Sequence, residues 1–126
     1  MSTFKHEIRF KQNQLDGLEM KLRTVKKTVT FRELDETNKD QHRLHFRIMS
    51  LYKTKMEVDE RTKTMSIDTD VLYEITVESV KLLAVVDDSF TEMEMKEFLA
   101  SSIGVLKFGL WFLENHITPF ILEYNS

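Results

Sequence analysis

The amino-acid sequence predicts a mainly α fold, a helical bundle of four to five helices with a short N-terminal β-hairpin. Three observations predict it. Only three Gly and one Pro occur in 126 residues, which is too little punctuation for a many-stranded sheet. Strict apolar alternation is confined to the start of the chain, and beyond Thr30 the apolar residues recur at the three- and four-residue spacings of helices. A chain of this length buries one core, so residues 1–126 are read as a single domain.

The hairpin is expected over about 3–26. Phe4, Ile8 and Phe10 alternate with His6 in phase, Asp16-Gly17 is a tight-turn signal, and Leu18, Met20 and Leu22 alternate again beyond it. A first helical stretch is expected over about 30–57. Thr30 stands three residues before Glu33 in the pattern of a capping box, and Val29 and Leu34 have the spacing of a hydrophobic staple. The run from Asp35 to Arg43 has no apolar anchor, so Asn38 with Gln41 offers a second start; Leu44, Ile48, Leu51 and Tyr52 then share one face, with Phe46 and Met49 on another. Val58 to Ser66 reads as a loop with Glu60-Arg61-Thr62-Lys63 at its tip.

Asp68 or Asp70 caps the next helix, over about 69–87, whose main stripe is Leu72, Ile75, Leu82, Leu83 and Val86. At Phe90-Thr91-Glu92-Met93-Glu94-Met95 the Thr cap, the Glu three residues on and a Phe90–Met95 staple open a helix over about 91–103. A last helix is expected over about 105–124, with Gly104 or Gly109 bending the segment and Pro119 removing one backbone bond. Leu99, Ile103, Leu106, Leu110, Leu113, Ile117, Phe120 and Tyr124 follow a heptad-like seam that needs covering.

Composition excludes several functions. Hydrophobic residues make up 41% and charged residues 31%, the balance of a folded soluble chain. With no cysteine, disulfides, thiolate chemistry and cysteine-based metal sites are out, and a reducing, cytoplasmic setting fits. The first residues mix charges and lack the apolar core of a secretory signal. A formal net charge of −3 gives no broad basic face for nucleic acid, and the basic run Lys21 to Lys27 reads as the wet face of a strand. No membrane span is expected, because Lys107, Glu114 and His116 interrupt the C-terminal apolar run short of the ~20 residues a bilayer needs.

The candidate reactive groups all have plainer readings. His42 and His45 share a helical face without a third ligand at matching spacing and read as surface histidines; His116 sits in an apolar stretch. Ser101-Ser102 lacks a nucleophile elbow, and there is no Gly-rich phosphate loop. Asp87, Asp88, Glu92, Glu94 and Glu97 suit helix starts, where negative charge is stabilising. No catalytic, metal or cofactor-binding residue is assigned, and the chain is read as a non-enzyme.

The C-terminal stretch is different. Between Gly104 and Leu122 a second stripe of Val105, Phe108 and Phe112, with Trp111 nearby, lies outside the seam, and a helix apolar all round must be buried on all sides. Phe108, Trp111, Phe112, Ile117 and Phe120 are the candidate protein-binding or oligomer surface. Seven methionines add deformable side chains of the kind that suits varied partners, although core packing is the expected role of most of them.

The order of parts, a hairpin, then Thr30-Phe31-Arg32-Glu33-Leu34-Asp35-Glu36, then Phe90-Thr91-Glu92-Met93-Glu94-Met95-Lys96-Glu97-Phe98-Leu99, resembles the tail assembly chaperones of long-tailed bacteriophages of Gram-positive hosts. The resemblance implies a helical homo-oligomer of the host cytoplasm, absent from the mature virion, that binds and solubilises the tape-measure protein and helps recruit tail-tube protein. It also implies a longer, frameshifted version with a tube-binding extension. The family has no catalytic motif, so the resemblance carries over no site residue. Two alternatives stand beside it: a small phage or bacterial regulatory or inhibitor protein that binds a host protein, and a structural tail or neck component.

Overall fold

A computed structural model describes residues 2–124, with Val58 described by its backbone only. Strand accounts for 30% and helix for 52%, so the fold is an α/β mix and the expectation of a mainly α bundle is corrected. The difference lies in two hairpins, one longer than the sequence pattern suggests and one unforeseen.

The first is a ribbon of two 14-residue strands, β1 (Thr3–Asp16) and β2 (Glu19–Arg32), paired without a slip from Thr3 opposite Arg32 to Asp16 opposite Glu19. Gly17 takes φ +65 at the first turn position, the conformation a two-residue hairpin turn of the II′ kind demands. Ile8, Phe10, Val29 and Phe31 are buried. The helix start expected at Thr30 is therefore strand. Val29 pairs opposite His6 and Phe31 opposite Phe4, so the apolar period here is two, and burial of that face outweighs the local capping signal. The outer edge of β2 is held as well: the Thr30 carbonyl accepts from the Val85 N–H at 2.9 Å, beside a bridge between Phe31 and Ala84.

The polar stretch that follows has an anchor after all, and it is polar. Gln41 is buried at the end of a 3₁₀ turn (Lys39–Gln41) capped by Asn38. Its Oε1 accepts from the Asp35 N–H at 2.9 Å and its Nε2 donates to the Glu33 carbonyl at 3.0 Å. Helix α1 (His42–Lys55) then buries Leu44, His45, Ile48 and Leu51.

Residues 58–66, expected as a loop, belong to a second hairpin of β3 (Met56–Asp59) and β4 (Thr64–Ile67). Asp59 Oδ1 accepts from the Arg61 and Thr62 N–H groups, and Lys63 takes φ 55, which together close the turn.

Helix α2 (Thr69–Leu83) starts at Asp68 and is the central one, burying Leu72, Ile75, Val80 and Leu83 together with Thr76 and Ser79. Those two hydroxyls donate to the carbonyls of Leu72 and Ile75, each at 2.7 Å, so neither is an orphan. Helix α3 (Glu92–Leu99) opens with the expected capping box between Thr91 and Glu94.

The break into α4 (Ser102–Phe112) falls at Ala100–Ser101, and neither glycine of α4 is a hinge. A Cβ on Gly104 would lie 2.0 Å from the Arg9 carbonyl oxygen, and one on Gly109 would lie 2.4 Å from Thr76 Oγ1. Both are close-approach positions, the first against β1 and the second against α2. After α4 the chain widens into a π segment (Leu113–Ile117) and continues as α5 (Thr118–Tyr124). The Thr118 N–H bonds back to the Leu113 carbonyl, five residues away. That bulge precedes Pro119, whose ring cannot donate the next bond and crowds the preceding turn.

Candidate protein-binding groove

The five residues expected to form an apolar surface do not stay together. Phe108, Phe112 and Ile117 are buried in the core of a single chain, while Trp111 and Phe120 are half-buried. Their expected role as a docking surface is corrected for the three buried ones, and the reason is the length of the hairpin. Its last rungs bring Phe4 and Phe31 onto α4, with ring centroids 4.8 Å apart for Phe31 and Phe108 and 5.5 Å apart for Phe108 and Phe112. Helix α4 is wrapped by the hairpin on one side and α2 on another, so its second stripe finds intramolecular cover.

The same interface takes up two histidines. His6 stacks on Trp111 with centroids 3.7 Å apart, and His116 stacks on Phe4 at 3.9 Å. Burial pulls both imidazoles below their ordinary pKa; for His6 the Glu7 carboxylate opposes this, and for His116 Glu33 opposes while His6 adds to it. These rings pack the hairpin against the helices, in keeping with His6 standing in phase with Phe4, Ile8 and Phe10 and with the apolar stretch around His116.

Three of the candidate carboxylates, Asp87, Glu94 and Glu97, have side-chain partners. Asp87 Oδ1 accepts from the Ser89 N–H, the Ser89 hydroxyl and the Phe90 N–H. Glu94 closes the capping box and also receives Lys27 Nζ at 2.5 Å, which holds its carboxyl below the usual range. Ser101 is a joint: its hydroxyl donates to the Glu97 carbonyl at 2.9 Å and accepts from the Lys11 N–H at 2.8 Å. His42 and His45 also part ways from their expected reading as surface groups. His45 is buried, 3.1 Å from Gln41 Oε1, with its ring 5.0 Å from Phe120. Burial, reinforced by His42, lowers its pKa. Among the described residues no group of three or more His, Cys, Asp or Glu could hold a metal ion, and no helix is long and apolar enough to cross a membrane.

What remains open is a groove of about 570 Å³ between α1 and α5, floored by Phe46, Met49, Phe120 and Tyr124. Phe46 is 71% exposed. Its sequence signal is the second face of α1, since Phe46 and Met49 stand three apart outside the buried stripe. At one end the groove runs into a polar recess lined by Glu33, Asp35 and Glu36, sharing Phe120 and Tyr124 with it; Lys53 borders the groove itself. Asp35 turns its carboxylate onto Thr37, accepting from its N–H and hydroxyl, and these bonds keep its pKa low. The groove thus pairs an apolar floor with an acidic end, a combination suited to an apolar segment that carries positive charge.

Comparison of the chain with protein-family models, curated proteins and solved structures gave no match.

Proposed function

We propose that this protein acts by holding an apolar segment of another protein in the α1–α5 groove, without catalysing a reaction. The observation that carries the reading is Phe46, a large aromatic ring left mostly in water on a helix whose other face already supplies the core. Leaving such a ring exposed forgoes about 1.5–3 kcal/mol of burial, and a partner that covers it recovers that energy. The groove extends the cost to Met49, Phe120 and Tyr124.

The form of this activity that the sequence resemblance favours is a phage tail assembly chaperone. Its client is then the tape-measure protein, a long chain with apolar helices that need cover before the tail tube encloses them, and tail-tube protein is the next component recruited. The capping-box phrase at Thr91 and the projecting hairpin are compatible with that reading, and the groove supplies a physical means for it. Co-expression tests it. The protein is expected to keep a tape-measure protein soluble and to co-purify with it, and Phe46→Asp, a surface change, is expected to abolish both while leaving the fold intact. A Phe46→Asp variant that still captures the client at full yield would overturn the groove assignment.

A further inference from the structure

His45 leaves one ring nitrogen unused, and the place of that nitrogen says what the groove holds. The Gln41 amide is fixed at both ends: its Oε1 accepts from the Asp35 N–H and its Nε2 donates to the Glu33 carbonyl. An amide oxygen cannot donate, so in the 3.1 Å contact between Gln41 Oε1 and His45 Nε2 the hydrogen belongs to the imidazole. The neutral ring therefore carries its proton on Nε2 and a lone pair on Nδ1. Nδ1 has no hydrogen-bond partner among the described residues, yet none of their buried side-chain nitrogens or oxygens is left unpaired. This nitrogen is thus open to solvent although only 6% of the residue is exposed. The opening that reaches His45 is the α1–α5 groove, whose wall it forms beside Phe120.

An acceptor in the wall of a binding groove penalises any occupant that covers it without supplying a donor. The charges nearby select the donor. Glu33, Asp35, Glu36 and Glu123 line the recess at the end of the groove, against one lysine, Lys53, in the groove. Asp35 is engaged by Thr37 and by the chain's own α-amino group. Glu36 lines groove and recess alike, is exposed, and has no ion-pair partner among the described residues. Phe120 and Tyr124 also line both cavities, and aromatic faces attract cations. A lone pair, a carboxylate and two aromatic rings around one opening are the complement of an ammonium or guanidinium group.

We infer that the occupant of the groove presents a lysine or arginine side chain that donates to His45 Nδ1 and to the Glu36 carboxylate where groove and recess meet. The inference deepens the proposed binding function and rests on it. It also makes capture sensitive to pH: a proton on Nδ1 removes the acceptor and sets like charge against the incoming cation, so binding weakens as pH falls. Burial, then His42, keep the ring neutral, with Asp35 and Glu36 opposing; Glu33, Lys53, Glu123 and Tyr124 are the other titratable groups lining the two cavities.

Matched peptides test this. One is a synthetic, end-capped amphipathic helix of Leu, Ala and Gln with a single lysine on the edge of its apolar face, and a small set moves that lysine along the edge. Each has a twin with norleucine, which keeps the carbon chain of lysine and drops the ammonium. Near pH 8, above the ordinary histidine value, the best lysine peptide is expected to bind roughly 10- to 100-fold tighter than its twin. In a His42→Gln background, where His45 is the imidazole left in the groove, the ratio is expected to fall toward about pH 5.5, with circular dichroism showing the fold retained. Glu36→Gln and His45→Phe are each expected to shrink the ratio; Glu36 is exposed, so its variant keeps the test open should His45→Phe not fold. His45→Gln offers a donor to Gln41 and an acceptor to the peptide without titrating, and is expected to keep the ratio while losing its pH dependence. Twins that bind equally, a ratio that survives both Glu36→Gln and His45→Phe, or one that stays constant with pH overturns the inference. If Phe46→Asp abolishes equal binding of the twins, the groove itself stands; if no peptide of the set binds, groove and inference fall together.

Discussion

His6 and Trp111 lie nearly parallel, 15° apart in plane with ring centroids 3.7 Å apart, across the seam where β1 meets α4. His116 makes the equivalent contact with Phe4, and His45 is enclosed near Phe120. All three imidazoles have folded pKa values below the ordinary histidine value because burial disfavours the charged ring.

The sign of the resulting pH dependence follows from where the proton goes. Above the unfolded pKa both states are neutral and stability is full. As pH falls below it the unfolded chain takes up protons that the folded chain refuses, so stability is lost until the folded pKa values are passed. Each histidine contributes at most about 1.4 kcal/mol per pH unit, and half-exposed His6 and His116 contribute less because solvent screens them. Urea midpoints are expected to be flat near pH 8 and to fall toward about pH 5, and His6→Phe is expected to flatten the fall. A midpoint that rises on acidification over this range would show that the rings are charged in the fold.

Gly109 and Gly104 give a second test, because a helix interior normally gains about 1 kcal/mol from Gly→Ala. Here both changes are expected to destabilise, by roughly 1–3 kcal/mol, since the added methyl meets Thr76 Oγ1 in one case and the Arg9 carbonyl in the other. Thr76→Ala removes the obstructing hydroxyl and is expected to rescue Gly109→Ala in part; no side-chain change can rescue Gly104→Ala, where the obstacle is backbone. Chemical denaturation of the three single variants and the Thr76→Ala/Gly109→Ala double variant checks this.

These positions also show what a one-dimensional reading can and cannot hold. Thr91 with Glu94 is a genuine capping box because nothing else competes for that segment, and the alternation from Phe4 to Phe10 is a genuine strand. Thr30 with Glu33 has the same local form, yet Val29 and Phe31 are claimed by His6 and Phe4 more than twenty residues upstream, and no local pattern carries that information. The six further residues of strand then cover Phe108 and Phe112, which is why the expected docking surface shrinks to its flank. Phe120 survives as a groove residue, and its partners Phe46 and Met49 were visible only as a second apolar face on α1. The β3–β4 hairpin carries only a short signal, the alternation of Met56 with Val58 and of Met65 with Ile67, which pair across it; its charged turn, which depends on Asp59 bonding two N–H groups, hides that period.

Gln41 is a buried amide side chain on which the approach to the groove depends. Gln41→Ala leaves the Asp35 N–H and the Glu33 carbonyl without their side-chain partner and exposes His45 to a void. The expected loss is about 2–3 kcal/mol, the penalty of orphaned buried polar groups plus the lost packing. Faster amide exchange at Asp35 than in the hairpin base would locate the damage at the acidic end of the groove.

Lys27 and Glu94 tie the hairpin to the start of α3 across 67 residues of sequence. Glu94 serves two masters, the Thr91 N–H and the Lys27 ammonium, with 16% of its side chain exposed. Glu94→Gln retains a box-competent side chain but discards the charge, whereas Glu94→Ala discards both, so the alanine variant is expected to lose about 1–3 kcal/mol and the glutamine variant less. In a Lys27→Met background the cost of Glu94→Gln is expected to shrink, because the charge then has no partner to meet. The depressed carboxyl pKa sets the pH window: its stabilisation is present above the unfolded value and lost as pH falls through the folded one, well below the histidine window. A Glu94→Gln penalty that persists undiminished at a pH where carboxylates are protonated would show that the pair contributes shape alone and no charge.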